Sequence, residues 1–441
     1  MAKINAPKGT RDFYPPDMAW HRHLLEQWHK VSVRNGFEQV NGPIFETLDL
    51  YKAKSGEGIV SELFSFRRDQ GKTDFAIRPE FTPTLARMVA QQANSLPKPI
   101  KWFCTPNFCR AERPQRGRLR EFWQWNVDLL GLDTPAADAE IIFTLVDFLA
   151  ECGLTSSQVK VKISHRDVVR TILMRLGVAE DRLPAAFELL DRRDKLSVAE
   201  FRDGAGELGL DEGRTQRFEQ VCRQKYGAGQ LDQLVKGLAM DAAPPDLTAL
   251  DEQLLAFGVG DWCEYDLGIV RGLAYYTGTV FEVHETTGVE RAIAGGGRYD
   301  QLIELLGGPP TPAVGFGMGD VVLTNLLQDK GLLQPAASYL PPVDVFVFAA
   351  TDEAVPDVTR AVAACRRAGL HARMSYKTTR NVGKLLKEAQ RSEAAAALIV
   401  GQDLQLKDLA SGDQQTITHD NLTAAIRAVV RGRPAATPAT D

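Results

Sequence analysis

The stretch 109–131, which reads CRAERPQRGRLREFWQWNVDLLG, constrains the fold of this chain more than any other part of its sequence. From Glu121 onward it alternates polar and apolar side chains, which predicts a half-buried β-strand. An apolar, aromatic run precedes it, and a turn-prone loop rich in arginine lies between the two. The pattern therefore predicts a hairpin. Because side chains alternate along a strand, its inner face can present Arg110, Gln124 and Asp128 to one cavity.

These residue types suit a small charged ligand. A guanidinium binds phosphate in a bidentate manner, and an amide and a carboxylate can bind the polar ends of an amino acid. The arginines of the loop remain for a larger anionic partner. A surface hairpin with solvated arginines is the alternative, and the dense run of arginines beside a Trp-Gln-Trp strand favours a binding site over it.

Composition sets limits on the rest. The chain has 441 residues, of which 25% are charged and 44% hydrophobic, which is typical of a soluble globular protein of two or three domains. A net charge of −5 argues against indiscriminate nucleic-acid binding but permits a local basic patch. Six scattered cysteines without a CxxC pair predict neither a zinc site nor disulfides, and no dedicated metal site is expected. Without an apolar leader or a long apolar run, we expect a cytoplasmic protein with no membrane partner.

The hairpin resembles motif 2 of the class II aminoacyl-tRNA synthetases. Its pattern, FxRxERPQxGRxRxFxQxxxD, is similar in particular to that of the histidyl-tRNA synthetase family. A second histidyl signature, RGLxYYTGxVFE, occupies residues 271–282, and AGGGRYD follows at 294–300. The glycine-rich segment 312–320 resembles motif 3, a strand that enters a helix, and a helix, strand and Pro43 near the N-terminus resemble motif 1, which builds a dimer interface.

The resemblance implies a multidomain α/β protein with an α+β catalytic core. Its parts are a class II antiparallel sheet flanked by helices, a helical insertion and a C-terminal α/β anticodon-binding domain. We place the catalytic domain at 1–328, with the insertion at about 166–258, where the sequence is charged and helical. A proline-punctuated linker covers 329–342, the anticodon-binding domain covers 343–432, and 433–441 is a disordered tail.

The resemblance also implies an activity, histidine–tRNA ligation in a homodimer. Histidine and ATP, the latter with Mg²⁺, would give histidyl-adenylate, from which histidine passes to the 3′ end of tRNA(His). Arg110 and Arg271 are then the catalytic cations. Independently, Arg271 sits in a glycine-flanked bend in apolar surroundings, where a guanidinium is costly to bury without an anion.

The family signatures assign the other site residues. Residues that the resemblance places around histidine are Glu80, Phe81, Thr82, Gln124, Asp128, Arg271, Tyr275, Tyr276 and Tyr299. For ATP they are Arg110, Arg113, Arg118 and Arg298, and for tRNA they are Arg113, Gln115 and Arg116. Glu80 belongs to an RPExT segment that binds the α-amino group in the family, although a role of Thr82 as a helix cap is the structural alternative. Of the two adjacent tyrosines, we expect only one to reach the ligand, because neighbours on a strand face opposite ways.

The chain departs from the family at two positions. Motif 3 normally ends in Glu-Arg, whose arginine stacks on adenine, and Val322 stands at the arginine position. Ala274 replaces an aspartate. Both changes favour a non-catalytic relative that senses histidine, the regulatory subunit of ATP phosphoribosyltransferase. The intact arginine loop, Arg271 and the C-terminal domain favour the enzyme, and a general RNA-binding module leaves the amino-acid pocket without a purpose.

Overall fold

The computed structural model describes residues 4–55, 57–193, 196–269, 276–288 and 291–432. The chain divides into two compact units. The first holds the residues up to Tyr14 together with His21–Leu333, and the second holds Pro15–Trp20 together with the residues from Gln334 onward.

The first unit is built on a large sheet that is mostly antiparallel. Its described strands are β1 (Glu38–Gln39), β5 (Ile100–Cys104), β6 (Asn107–Cys109), β7 (Glu121–Leu130), β8 (Val159–His165), β9 (Tyr226–Gly227), β10 (Cys263–Tyr265), β11 (Thr279–Glu285), β12 (Ala294–Arg298) and β13 (Ala313–Gly319). They run in the order β1-β5-β7-β13-β12-β11-β8-β10-β9, and β6 pairs with β7. Only β1 with β5 and β8 with β10 are parallel among these pairs. A class II antiparallel sheet was predicted, and this order confirms it.

Helices flank this sheet. In the described part of the first unit they are α1 (Pro15–Arg34, shared with the second unit), α2 (Leu48–Ser55), α3 (Thr82–Gln92), α4 (Pro135–Glu151), α5 (Arg166–Arg175), α6 (Leu183–Arg192), α7 (Val198–Glu207), α8 (Glu212–Arg223), α9 (Leu231–Gly237), α10 (Pro245–Ala256), α11 (Leu302–Leu305) and α12 (Asp320–Asp329). Helices α5–α10, with the short strand β9 among them, lie in the region about 166–258 where a helical insertion was predicted.

An aromatic core joins α1 and α4 to the sheet. Trp125 of β7 lies 5.2 Å from Phe148 of α4 and 4.9 Å from Phe316 of β13, as ring centroids, and it also stacks with Trp28 of α1. Its indole donates to the Ser32 hydroxyl over 2.9 Å. Burying each large apolar side chain contributes roughly 1.5–3 kcal/mol, so this cluster fixes the back of the sheet. The opposite face of β7 is thereby left for a ligand.

The strand predicted to end at Pro43 is shorter than expected, because it is limited to β1. Only β1 and β2 (Phe45–Thr47) form there, and β2 joins a separate small sheet with β3 (Ser65–Arg67) and β4 (Asp74–Ile77). The Arg78 guanidinium donates to the carbonyl oxygens of Gly42 and Pro43, at 3.0 and 3.4 Å. These carbonyls therefore bind a side chain instead of a neighbouring strand. Strands β3 and β4 pair as an antiparallel hairpin.

The second unit contains a five-stranded mixed sheet in its described part. The strands are β14 (Val345–Ala349), β15 (Ala372–Met374), β16 (Ala396–Val400), β17 (Leu404–Asp408) and β18 (Gln414–Ile417), in the order β15-β14-β16-β17-β18. The helices are α13 (Val355–Arg367), α14 (Val382–Arg391) and α15 (Leu422–Arg431). Separate apolar clusters pack α13 and α15 on one face of the sheet and α14 on the other. This is the predicted βα alternation. The predicted tail at 433–441 lies outside the described residues.

Two sequence expectations concern the whole chain. All six cysteines are free thiols, of which Cys109 and Cys152 are partly exposed and the other four buried. Within the described ranges, the helices are too short or too polar to cross a membrane.

Candidate active site

A cavity of about 860 Å³ lies in the first unit, between the large sheet and the helical insertion. The residues that line it include Arg110, Gly117, Arg118, Leu119, Phe122, Gln124, Lys162, Leu190, Asp191, Arg193, Asp266, Gly268, Ile269, Glu282, His284, Gly288, Arg291, Gly295, Gly317, Gly319, Val321 and Val322. The lining is therefore rich in charge, and it joins the predicted hairpin to the glycine-rich strand and its helix.

The predicted basic hairpin forms, and it fixes Arg110 in the cavity. Strands β6 and β7 pair antiparallel, and the loop closes through reciprocal backbone bonds of 3.0 and 2.9 Å between Gln115 and Arg118. The Nε of Arg110 donates to the Pro79 carbonyl at 3.0 Å, and its guanidinium carbon lies 5.1 Å from the centre of the Phe122 ring. These contacts hold the guanidinium by one edge, which leaves its other N–H groups for a ligand.

Glycines on β13 make room for the polar side chains of β7. The ladder pairs Gly315 with Asp128 and Gly319 with Gln124, so all of these residues project on one face. A Cβ atom at Gly317 would lie 2.6 Å from the Gln124 Nε2, and one at Gly315 would lie 2.1 Å from the Asp128 Oδ1. Any larger residue would displace the amide or the carboxylate, which gives a physical reason for the glycine-rich strand.

Asp128 forms a buried pair with Tyr299. The Tyr299 hydroxyl donates to the Asp128 Oδ1 over 2.6 Å, and both side chains are almost wholly buried. Burial raises the pKa of Asp128 to about 7, although the tyrosine bond acts in the opposite direction. A carboxyl group with such a pKa changes its charge near neutral pH, which is typical of functional sites. Asp128 is not among the residues that line the cavity.

An apolar cluster surrounds this pair. It contains Phe81, Tyr276 and Tyr299 together with Leu85 and Val280. Phe81 is the N-cap residue of α3 and is fully buried, so its side chain serves the core. Thr82 is the first residue of α3, not its cap. The structure therefore brings three of the residues predicted for histidine into one apolar wall.

Glu80 lies next to the hairpin without lining the cavity. It is half-buried, and its neighbours on both sides are tied down: Arg110 binds the Pro79 carbonyl, and Phe81 anchors α3. The position is thus fixed close to Arg110 by the backbone. The other two residues predicted here, Arg271 and Tyr275, lie outside the described residues.

Arg298, predicted for ATP, is not among the residues that line the cavity. It is buried, and its Nη2 binds the Asp138 carboxylate at 2.7 Å, while other N–H groups bind Asp300 and the Leu132 and Thr134 carbonyls. Neighbouring strand residues face opposite ways, so Arg298 diverges from Tyr299. Its ion pair with Asp138 fixes α4 against the sheet.

The residues predicted for tRNA are on the outside of the hairpin loop. Arg113, Gln115 and Arg116 are exposed, and Arg116 binds Asp329 over 2.7 Å. Arg118, predicted for ATP, is half-buried, lines the cavity and pairs with Glu112. Arg113 is thus placed for an external partner rather than for a ligand in the cavity.

The motif 3 region also takes the predicted form, a strand that enters a helix. Val321 and Val322, in the first turn of α12, line the cavity. Asp320 points away, where it accepts from the Trp123 N–H at 3.0 Å and from Arg11 at 2.6 Å. Burial raises the pKa of Asp320, and Arg11 opposes that shift. Helix α12 is thereby fastened to β7 and to the N-terminal segment.

Sequence reasoning missed one wall of the cavity. Lys162 of β8, Asp266 and the Glu282–His284 pair of β11 line it, as does Arg193 at the end of α6. The His284 Nε2 lies 2.8 Å from the Glu282 Oε2. Alternation along β8, which places Lys162 opposite the buried valines, and the final Glu282 of the second signature were the available signals.

The fold and the site together define a class II aminoacyl-tRNA synthetase. An antiparallel sheet carries a basic hairpin beside a glycine-rich strand that runs into a helix, and the cavity lies where they meet. Comparison with known proteins then gives the family. The family described as Histidyl-tRNA synthetase matches residues 9–320, and the chain belongs to it.

Individual proteins that are similar to this chain carry the same family description. The histidine–tRNA ligase of Opitutus terrae is 38% identical over 439 residues, covering 97% of this chain and 99% of that protein. The chloroplastic/mitochondrial histidine–tRNA ligase of Arabidopsis thaliana is 41% identical over 330 residues, or 75% of this chain and 67% of the relative. Among solved structures, histidyl-tRNA synthetase from Nostoc sp. PCC 7120 matches with a TM-score of 0.77 at 24% identity, covering 97% of this chain and all of that one. The structural likeness shows the fold.

One further structural match bears on the rival class of protein. A chain from Bacillus halodurans described as an ATP phosphoribosyltransferase regulatory subunit/histidyl-tRNA synthetase has a TM-score of 0.70 at 22% identity, covering 91% of this chain and 99% of that one. It shares the fold, which therefore does not separate the two activities.

Proposed function

We propose that this chain is a histidine–tRNA ligase. It joins L-histidine to ATP, which gives histidyl-adenylate and pyrophosphate, and then transfers histidine to the 3′ end of tRNA(His). The observation that carries the proposal is the cavity lined by Arg110, Gln124 and the glycine-rich strand, together with the buried Asp128–Tyr299 pair, whose aspartate lies on the same strand as Gln124. Membership of the family supports the same conclusion.

Charge neutralisation dominates the first step. A carboxylate oxygen of histidine attacks the α-phosphorus as its bond to the pyrophosphate oxygen breaks, and both reactants are anions. Arg110 is held by Pro79 and Phe122 before the substrates arrive, so its remaining N–H groups can stabilise the extra charge of the transition state without reorganising. Arg271 is proposed as the second cation, on the family signature alone.

Recognition of histidine rests on paired polar groups in an apolar setting. We assign the α-amino group to Glu80 and Gln124, because an ammonium needs a carboxylate and an amide oxygen. We assign the imidazole to the Asp128–Tyr299 pair, with Tyr276 or Tyr275 as the neighbouring ring. An amino acid without a ring N–H would leave Asp128 buried with the Tyr299 hydroxyl as its donor and no donor from the ligand, and such a site discriminates strongly.

The nucleotide belongs to the basic side of the cavity. Arg110 and Arg118 line it beside the Phe122 ring, and both suit phosphate groups. Mg²⁺ would arrive with ATP and offset phosphate charge, and a single protein carboxylate suffices when phosphates and waters supply the other ligands. Glu282, which lines the cavity, fits that role.

The exposed loop and the second unit are assigned to tRNA. Arg113, Gln115 and Arg116 stand on the outer edge of the hairpin, where the acceptor end would approach. In the second unit Tyr376 is 81% exposed, and Lys384 and Lys387 are exposed on α14. An exposed aromatic ring among cations suits unpaired bases, as an anticodon-binding domain at 343–432 requires.

Assembly and location complete the proposal. The small sheet of β2, β3 and β4 exposes Phe45 and Phe66, whose ring centroids lie 5.8 Å apart. Together with Phe64 they form an apolar patch that a second copy of the chain would cover in a homodimer. We place the protein in the cytoplasm, where its tRNA substrate is found.

A charging assay tests the proposal. Purified protein is incubated with ATP, Mg²⁺, labelled histidine and tRNA, and label in acid-precipitable tRNA is counted, with each other amino acid as a control. We expect charging with histidine alone. Charging with another amino acid, or none with any, would reject the assigned function.

A further inference from the structure

The nucleotide side of the cavity lacks a cation where the family carries one. Val322 occupies the motif 3 arginine position, and with Val321 it presents an apolar surface to the cavity. A triphosphate cannot bind to valine. Either the tail of ATP loses a partner, or another side chain supplies the missing guanidinium.

Most cations of the cavity already have partners. Arg110 binds the Pro79 carbonyl, Arg118 pairs with Glu112, Lys162 lies 3.7 Å from Asp266, and Arg193 binds the Cys222 carbonyl at 3.0 Å. Arg291 differs from all of them. It lines the same cavity, is exposed, and makes no hydrogen bond or ion pair within the described ranges of the chain.

Arg291 and the two valines line the cavity at the same end of the β12–β13 ladder. Strand β12 pairs with β13 from Ala294, opposite Met318. Arg291 precedes that first pair, and Val321 and Val322 follow the end of β13 in the first turn of α12. The Ile293 N–H still donates to the Val283 carbonyl at 2.8 Å, so the backbone remains in sheet geometry up to that point. Arg291 and the valines therefore belong to the same part of the cavity lining.

The acidic groups of the adjoining strand β11 have other partners. Glu285, at the end of β11, is buried and pairs with Lys330. Glu282 and His284 bind each other. A free guanidinium in a cavity that receives a polyanion is better explained as a ligand group than as a solvated surface charge.

We propose that Arg291 binds the triphosphate tail of ATP and replaces the arginine that motif 3 lacks at Val322. The inference rests on the proposed function, since it names a further residue of the same nucleotide site. A guanidinium can reach a phosphate from either strand, because the chemistry requires its final position and not its place in the sequence.

The test compares four proteins in histidine-dependent pyrophosphate–ATP exchange: the natural chain, Arg291→Ala, Arg291→Ala with Val322→Arg, and Arg22→Ala. Arg22 is an exposed arginine of α1 that lines no part of the cavity and serves as the matched control. We expect Arg291→Ala to raise the KM for ATP about 10- to 100-fold, as the loss of a charge-assisted contact does, with the KM for histidine changed less than about threefold. The added Val322→Arg should recover at least part of that loss.

Each outcome decides the matter. If the natural chain exchanges and Arg291→Ala keeps its KM for ATP, the inference is overturned while the proposed function stands. Equal increases in both KM values, or no recovery with Val322→Arg while the double variant keeps its thermal transition, also overturn it. No exchange by the natural chain rejects the proposed function. Calorimetric titration of that chain and of Arg291→Ala with ATP and with adenosine then still tests the residue, since only ATP binding should weaken.

Discussion

The histidine side and the basic side of the proposed site are built on different principles. The buried pair, Asp128 and Tyr299, is desolvated, bonded over 2.6 Å and surrounded by apolar side chains. The basic side, formed by Arg110, Arg118 and Arg291, is partly or fully exposed and open to solvent. The hydrogen bond of the first side is formed before any ligand binds, whereas the second side has guanidinium N–H groups left for a ligand.

This contrast matches the demands of the two substrates. Discrimination of one amino acid from the others requires buried groups that are costly to leave unpaired. Neutralisation of a triphosphate requires positive charge but tolerates variation in its source. Substitution of the motif 3 arginine by Val322 is thus acceptable on the basic side, whereas an equivalent loss at Asp128 would not be.

The largest effect should come from Arg110, which serves both sides. We expect Arg110→Ala to slow histidine-dependent pyrophosphate exchange on the order of 10²- to 10³-fold, because a preorganised donor to the transition state is lost. Initial rates of exchange at saturating ATP and histidine measure the change. An unchanged thermal transition shows that the fold is intact. A loss below tenfold would mean that Arg110 acts in binding alone.

Asp128→Asn tests the buried pair directly. The amide keeps the size of the carboxyl group but loses its charge, so we expect the KM for histidine at pH 8 to rise about 10- to 100-fold, with the KM for ATP little changed. At that pH the carboxyl of Asp128, with its pKa of about 7, is mostly ionised. An equal rise in both KM values would contradict the division of the proposed site into two sides.

The same variant should change how stability depends on pH. The folded-state pKa of Asp128 is about 7, well above the ordinary value of 3.8 for an aspartate, so between these values the folded protein holds a proton that the unfolded chain has released. This contribution to the free energy of unfolding is complete below the lower value and is lost as pH rises to 7. The free energy of unfolding of the natural chain should decrease between pH 5 and pH 8, and we expect Asp128→Asn to remove roughly 2 kcal/mol of that decrease. Urea unfolding at the two pH values measures it, and parallel pH profiles would refute the assignment.

A smaller effect is expected at Gly317. An alanine there places its Cβ 2.6 Å from the Gln124 Nε2, and that flexible amide must move away. We expect the KM for histidine to rise about tenfold, with stability nearly unchanged, since a single charge-assisted contact is weakened. Gly206→Ala, in α7 with no atom near its Cβ, is the matched control. Kinetics identical to those of the control would remove Gln124 from the histidine site.

Arg116 should have the smallest effect, and only on the tRNA side. Its pair with Asp329 is exposed, so Arg116→Ala should leave exchange without tRNA unchanged. We expect the KM for tRNA in charging to rise about threefold, and more at low salt than at high salt, as for a phosphate contact. A change in exchange without tRNA would contradict an external role.

Much of this architecture could be predicted from sequence. The hairpin of β6 and β7, the passage from β13 to α12 and the βα pattern of the second unit all rest on local periodicity and turn residues. The local pattern also predicts that Gln124 and Asp128 lie on the same face of β7, because side chains alternate along a strand.

The features that could not be predicted from the sequence depend on contacts between residues far apart in the chain. Arg298 follows a glycine run beside Tyr299, and only the fold shows that its partner is Asp138, 160 residues earlier. The segment around Gly42 has a strand-like composition, but its carbonyls are taken by Arg78. Arg291 has no distinctive pattern in the sequence, and only the fold shows that it lines the same cavity as Val321 and Val322.

The most direct test of the account is pyrophosphate–ATP exchange by the purified chain without tRNA, with each amino acid in turn. We predict exchange with histidine alone, which would establish adenylate formation in a cavity that has Val322 in place of the motif 3 arginine. Absence of exchange, while calorimetry still detects histidine binding, would contradict the account and identify the cavity as a histidine sensor.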